Sequence, residues 1–232
     1  MTFRSTETTA SSLDPDASDV GAEGGIADTS CMLNGRGAKP PEPEAVPEIP
    51  PTVAALEGDA RELPLGADSV DLIATSPPYW KKRDYGVEGQ IGQEATASAY
   101  TQALIECLRE WRRVLRPTGS VFLNIGDTFH NKTLAGVPAR VEAAAGDDGW
   151  IIRNRIIWAK DGGMPEPAQN RLANRHEYII HLVARHEYYY DLFGYSRAIG
   201  NGANPGDVWH IKPERNMGKH LAPFPALLFV WG

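Results

Sequence analysis

The chain has 232 residues, enough for one ordinary domain with a tail, and its hydrophobic content of 42% is sufficient for a packed core. It contains no run of about 18 apolar residues and no N-terminal secretory signal, which argues against a membrane span and against secretion. Two cysteines, Cys31 and Cys107, do not form a disulfide framework. These features favour a cytoplasmic protein.

The net charge of −7 is concentrated near the N-terminus, where residues 1–57 contain ten acidic and three basic residues. The other 175 residues contain 20 of each and are neutral, so they can still carry a basic face. Residues 39–51 include six prolines, which favour extended polyproline geometry. We predict that 1–51 form a disordered acidic, proline-rich tail and that 52–232 form the folded domain.

The first predicted elements form a β–α–β unit. Val70–Thr75 is a short apolar run that ends before two prolines, which is typical of a buried strand in a parallel sheet. Ser98–Leu115 has apolar residues at helical spacing, with Thr96 or Ser98 as its cap, and Ser120–Ile125 is a second apolar run. This order predicts an α/β fold with a parallel sheet covered by helices.

Four further elements are predicted after this unit. A short helix should begin at Pro138 and continue through Ala145, before the residues Gly-Asp-Asp-Gly break it. Strands are predicted over Ile151–Trp158, Glu177–Ala184 and Glu187–Asp191.

The segment TSPPYW, residues 75–80, carries the most functional information. It follows the first strand at its carboxyl end, where open α/β sheets bind their ligands. Neither Pro77 nor Pro78 has a backbone N–H, and we expect both carbonyls to be free to accept hydrogen bonds from a ligand.

TSPPYW resembles motif IV of the DNA amino-methyltransferases, in which Asp, Asn or Ser precedes Pro-Pro and Tyr or Phe. The resemblance covers about residues 53–228 in order: Gly58-Asp59 and LPLGADSVDLIA before motif IV, LRPTGSVFLNIGDTF as motif V, and GDVWHI with HLAPFP as motif X. It implies a three-layer Rossmann-like methyltransferase fold with a mostly parallel sheet. It also implies S-adenosylmethionine as methyl donor, no metal, and double-stranded DNA as partner.

The resemblance assigns roles to thirteen residues. The catalytic residues would be Ser76, Pro77, Pro78 and Tyr79. The cofactor-binding residues would be Asp59, Thr75, Ala222, Pro223, Phe224 and Pro225. The basic cluster after the catalytic loop, Lys81, Lys82 and Arg83, would contact DNA phosphates.

Methylation of a base amine requires little more than positioning and electrostatics. The amine nitrogen is a poor nucleophile because its lone pair is delocalised into the ring, and two acceptors on its N–H bonds can redirect that lone pair. The Ser76 side chain and the Pro77 carbonyl would be these acceptors, while Tyr79 would stack on a base rotated out of the duplex. The sulfonium donor is already activated.

Serine at the first motif position favours N4 of cytosine, with N6 of adenine as the alternative. An RNA or protein amino-methyltransferase and a non-catalytic DNA-binding remnant also remain open. The family's glycine-rich motif I should follow motif X in this subclass, but no such loop follows Pro225. We therefore expect a C-terminal truncation, an exposed apolar edge near Leu227–Trp231, and little activity from the chain alone.

Two other chemistries are disfavoured by the sequence. Neither cysteine follows a proline, as the nucleophile of a cytosine C5-methyltransferase does. His176, His181 and His186 do not have the spacing of a helical zinc motif. Asp127 is either a catalytic residue or one that shapes the pocket.

Overall fold

The computed structural model describes residues 56–160, 168–198, 204 and 206–212. The predicted tail, the motif X residues Ala222–Pro225 and the segment Leu227–Trp231 lie outside these ranges. In chain order the elements are β1 Val70–Thr75, α1 Ala97–Val114, β2 Leu115–Ile125, β3 Phe129–His130, β4 Thr133–Leu134, α2 Val137–Asp147, β5 Ile151–Ala159, β6 His176–Val183, α3 Leu192–Ala198 and β7 Val208–His210.

Within the described residues, β1, β2, β6, β5 and β7 form one sheet in that order. β1 is parallel to β2, β5 is parallel to β7, and β6 is antiparallel to both of its neighbours. Four strands therefore run in one direction, with β6 inserted in the opposite direction. The predicted α/β fold with a mostly parallel sheet is confirmed.

Helix α1 forms where the apolar spacing predicted it. The Thr96 hydroxyl accepts a hydrogen bond from the Ala99 amide at 3.1 Å and caps the N-terminus. The residues of the predicted apolar face are all buried: Tyr100, Leu104, Leu108, Trp111 and Leu115. β2 begins at Leu115, earlier than predicted. Its register with β1 shifts between the Val70 and Leu72 pairings, in the stretch that contains Pro117, which has no N–H for the ladder.

Three predictions about secondary structure need correction. β1 is an edge strand of the described sheet and not a buried one, and its Leu72 is 41% exposed. α2 continues through Gly146 to Asp147. Residues 187–191 form no strand. The rings of Tyr188 and Tyr190 pack against the His181 ring instead.

The sheet has two different faces, which alternate along β2. Val121, Leu123 and Ile125 belong to the apolar core that packs against α1 and α2. Phe122 belongs to a second apolar cluster, and the neighbouring positions Ser120 and Asn124 are buried polar residues. In the described part of the chain, no helix is long and apolar enough to cross a membrane.

Candidate active site

The TSPPYW loop lies at the end of the sheet where β1, β2 and β5 finish and where β6 begins. β1 ends at Thr75, which pairs with Leu123 one residue before Asn124. β6 runs in the opposite direction and starts at this edge, so Glu177 lies beyond the pairing of Ile125 with Tyr178. The strand order thus brings together side chains that are far apart in the sequence.

Ser76 and Tyr79 form one hydrogen-bonded unit with Asn124. The Ser76 hydroxyl donates to the Tyr79 hydroxyl at 3.2 Å. Asn124 Nδ2 donates to the Tyr79 oxygen at 2.8 Å and lies 3.4 Å from Ser76 Oγ. Ser76 itself is exposed, whereas Asn124 is buried. The serine hydroxyl therefore has internal partners in Tyr79 and Asn124 and belongs to an exposed residue that a ligand can reach.

Glu177 and Lys160 complete this polar cluster. The Tyr79 hydroxyl donates to Glu177 Oε2 at 2.7 Å, and Asn124 Nδ2 donates to the same oxygen at 3.0 Å. The other carboxylate oxygen, Oε1, pairs with the Lys160 ammonium. Burial, and then the charge of Glu177, raise the pKa of the Tyr79 phenol well above its ordinary value. The phenol therefore stays protonated and acts as a donor.

The two proline carbonyls have different environments, which corrects the expectation that both are free. The Pro78 carbonyl accepts a hydrogen bond from the buried Tyr100 hydroxyl at 3.0 Å. No donor from the described part of the chain bonds to the Pro77 carbonyl. Pro78 thus anchors the loop to helix α1, and Pro77 keeps the acceptor that a substrate amine could use.

Two glycines allow the loop to pack closely. A Cβ atom on Gly126 would lie 2.8 Å from Tyr79 Cε2, so the tyrosine ring rests on bare backbone there. Gly92 has φ +104°, and its Cβ would lie 3.1 Å from the Pro78 carbonyl oxygen. Both positions leave room for the Pro-Pro-Tyr segment to pack closely against residues outside the motif.

The predicted DNA-binding cluster contains three different environments. The Lys81 amide donates to the Gly92 carbonyl, and its ammonium donates to the Gln93 carbonyl at 2.9 Å. Arg83 is partly buried and its carbonyl accepts from two glutamine side chains. Lys82 is exposed, and no described residue forms a hydrogen bond with its ammonium. Of the three, Lys82 is the one most available to a phosphate.

Two of the predicted cofactor residues, Asp59 and Thr75, are described. Thr75 ends β1 and is the first residue of the TSPPYW segment. The Asp59 carboxylate binds the Arg61 guanidinium at 2.6 Å, which lowers its pKa to about 2, yet its side chain is 47% exposed. An exposed carboxylate keeps lone pairs for hydroxyl donors, so its chemistry fits the ribose of a nucleoside cofactor. Arg61 also lines an open polar groove of about 510 Å³.

Asp127 has a structural role. Its Oδ1 accepts from the Thr128 and Val137 amides, and its Oδ2 accepts from the Gly136 amide at 3.1 Å. These bonds satisfy free N–H groups at the start of α2, whose own N-cap residue, Gly136, has no side chain to do so. No group of three His, Cys, Asp or Glu side chains in the described ranges could hold a metal ion.

The sequence did not identify Asn124, Lys160 or Glu177 as site residues. They lie 48, 84 and 101 positions after Ser76, and only strand order and register bring them to it. One signal was present, because Asn124 and Glu177 are polar residues that adjoin the apolar runs of their strands.

Comparisons with known proteins agree on one family. A family model described as DNA methylase matches residues 70–229. The type II methyltransferase M.SmaI of Serratia marcescens is 36% identical over 205 residues, which cover 73% of this chain and 70% of that protein. M.Cfr9I of Citrobacter freundii is 33% identical over 208 residues, with 75% and 69% covered.

A solved structure has the same fold. The cytosine-N4-specific PvuII DNA methyltransferase superimposes with a TM-score of 0.60 at 19% identity, covering 75% of this chain and 66% of that one. At this identity the likeness concerns the fold alone. The chain matches about two thirds of the length of this structure and slightly more of the two relatives.

Proposed function

This chain belongs to the DNA methylase family, and on that premise we propose that it methylates the N4 amine of cytosine in double-stranded DNA. The methyl donor of the family is S-adenosylmethionine. The observation that carries the proposal is the pair of acceptors at the end of β1: the exposed Ser76 hydroxyl and the Pro77 carbonyl, held by an anchored loop.

These two acceptors suit an exocyclic amine. Each can take one N–H of the amine, so that the nitrogen lone pair turns out of the plane of the base. The donor supplies an activated methyl group on sulfur, and the protein contributes orientation and an environment that stabilises developing charge. Because Tyr100 occupies the Pro78 carbonyl, Pro77 is the second acceptor of this mechanism.

Tyr79 would provide the stacking surface for a base rotated out of the duplex. Its hydroxyl is bound to Asn124 and Glu177, and its ring edge rests on Gly126. A ring fixed at both ends loses little freedom when a base stacks on it, which favours binding of the extruded base.

The other predicted residues would supply the cofactor and DNA contacts. Thr75 and Asp59 would contact the donor, together with Ala222, Pro223, Phe224 and Pro225. Lys82 would contact a phosphate beside the target base, so Lys82→Ala should reduce the salt dependence of DNA binding by about one ion released. The type II names of M.SmaI and M.Cfr9I support a role in restriction–modification, and hence in the cytoplasm.

The test is product analysis. The protein, alone and with a motif I segment of the family appended at its C-terminus, is incubated with methyl-labelled donor and double-stranded DNA, single-stranded DNA or RNA, and the nucleosides are identified by mass spectrometry. We expect N4-methylcytosine from double-stranded DNA. N6-methyladenine alone would reassign the target base, label only in RNA would reassign the substrate, and donor-independent DNA binding without any product would favour a non-catalytic DNA-binding protein.

A further inference from the structure

A continuous chain of hydrogen bonds runs from the exposed Ser76 hydroxyl into the protein. Ser76 bonds to Tyr79 at 3.2 Å, Tyr79 bonds to Glu177 at 2.7 Å, and Glu177 pairs with Lys160. The Glu177 side chain is 16% exposed and the Lys160 side chain is 25% exposed. Nothing in the chemistry of methyl transfer requires a partly buried ion pair beside the serine, so the pair calls for an explanation.

The groups available determine which partner donates in each of these hydrogen bonds. A carboxylate only accepts, so the Tyr79 hydrogen points to Glu177. The Asn124 amide must turn Nδ2 toward this group, because the opposite orientation would place Oδ1 against the carboxylate. Because the Tyr79 hydrogen is used in the bond to Glu177, the Tyr79 oxygen can only accept in its hydrogen bond with Ser76. Ser76 therefore points its hydrogen at Tyr79 and presents lone pairs to the outside.

We propose that Glu177 is a positioning residue that acts through Tyr79 to make Ser76 an acceptor for the target amine, and that it receives the proton which this amine loses. The proposal rests on the proposed function, since it concerns the same site. It assigns a role in the reaction to Glu177, Lys160 and the hydroxyl of Tyr79, beyond the stacking role of the tyrosine ring.

The proton transfer balances without a further reactant. When the N–C bond forms and the S–CH3 bond breaks, the amine nitrogen becomes positively charged and must lose one proton. Ser76 Oγ takes that proton while its own hydrogen passes to the Tyr79 oxygen and the Tyr79 hydrogen passes to Glu177 Oε2. Serine and tyrosine end as they began, and Glu177 ends as a neutral acid that can release its proton to water. The Lys160 ammonium holds the other carboxylate oxygen, Oε1, in place.

Glu177→Gln tests the direction of these hydrogen bonds. Glutamine has nearly the same shape as glutamate, but its NH2 group can donate and so reverse them. With its carbonyl oxygen toward Lys160, the glutamine NH2 group would donate to Tyr79, and Ser76 would then point its hydrogen at the substrate amine. We expect the single-turnover rate to fall about 100-fold while the affinity for DNA changes less than about threefold. Tyr79→Phe keeps the ring, and we expect a fall of about tenfold.

The matched control is Glu142→Gln. Glu142 pairs with Arg155 between α2 and β5, and its side chain is 19% exposed, close to that of Glu177. It touches none of the site residues, so its removal should leave the rate within about twofold. A purely structural role for Glu177 predicts that both variants behave alike.

Two readouts separate positioning from structural support. If Glu177 acts through Ser76, Glu177→Gln should lower the rate no further in a Ser76→Ala background. Independently of activity, the Tyr79 hydroxyl proton should give a downfield NMR signal, assigned by its loss in Tyr79→Phe. This signal should move upfield in Glu177→Gln but not in Glu142→Gln.

Additive rate effects in the double variant, or an unmoved Tyr79 signal in Glu177→Gln, would overturn the inference. Absence of methylation by the wild-type protein, both alone and with the appended motif I segment, would instead defeat the proposed function. The NMR comparison would then still decide whether the chain of hydrogen bonds has the proposed direction.

Discussion

The two faces of the central sheet use the same strands in opposite ways. Toward α1 and α2, β2 contributes Val121, Leu123 and Ile125 to a large apolar core. On the other face the same strand contributes Ser120 and Asn124, and each has a partner on another element. The first face is held together by apolar packing, whereas the second combines a smaller apolar cluster with individual hydrogen bonds. Substitutions on the two faces should separate stability from catalysis.

The largest expected effect is on the helical face. Leu108 is fully buried among the residues of α1 that face the sheet. Leu108→Ala leaves a cavity there, so the free energy of unfolding should fall by about 3 to 5 kcal/mol. Chemical denaturation measures this change, and the turnover of the folded fraction should remain close to wild type. A large loss of turnover without loss of stability would contradict the separation of the two faces.

The opposite face should show a dependence on pH. Burial, and then the charge of Arg153, lower the pKa of His181 to about 4 from an ordinary 6.5. The folded state therefore binds fewer protons than the unfolded state between these values, and stability is lost as the pH falls through this window. His181→Gln should remove about 2 kcal/mol of the difference in unfolding free energy between pH 7 and pH 4.5. If the unfolding free energy changed equally with pH in the variant and the wild type, the assignment of this pH dependence to His181 would be wrong.

A smaller effect on stability, with a clear effect on rate, is expected at Gly126. Because Tyr79 is held by hydrogen bonds, its ring cannot simply move away from an added methyl group 2.8 Å from Cε2. Gly126→Ala should cost about 1 to 2 kcal/mol of stability and reduce turnover at least tenfold. Gly146→Ala is the control, since a Cβ there meets nothing within 4 Å and lies in α2. It should stabilise the protein by about 0.5 to 1 kcal/mol.

The sequence predicted the helical face better than the polar one, for a physical reason. Periodicity locates a core face, so α1, its Thr96 cap and the strand before the TSPPYW loop could be predicted. Strand order and register are long-range properties, and the partners of Tyr79 depend on both. The prediction of a strand over residues 187–191 was wrong. Tyrosines are common in strands, but here the rings of Tyr188 and Tyr190 pack against His181 from a segment outside the sheet.

The most direct test of the central claim, that Ser76 grips the reacting amine, is the single-turnover rate of Ser76→Ala on double-stranded DNA. Loss of an acceptor used mainly in the transition state should lower the rate about 100-fold and leave DNA affinity within about threefold. Ser69→Ala, at an exposed serine just before β1 whose hydroxyl bonds to the Gly66 carbonyl, should leave the rate unchanged. A Ser76→Ala rate equal to that of Ser69→Ala would contradict the account.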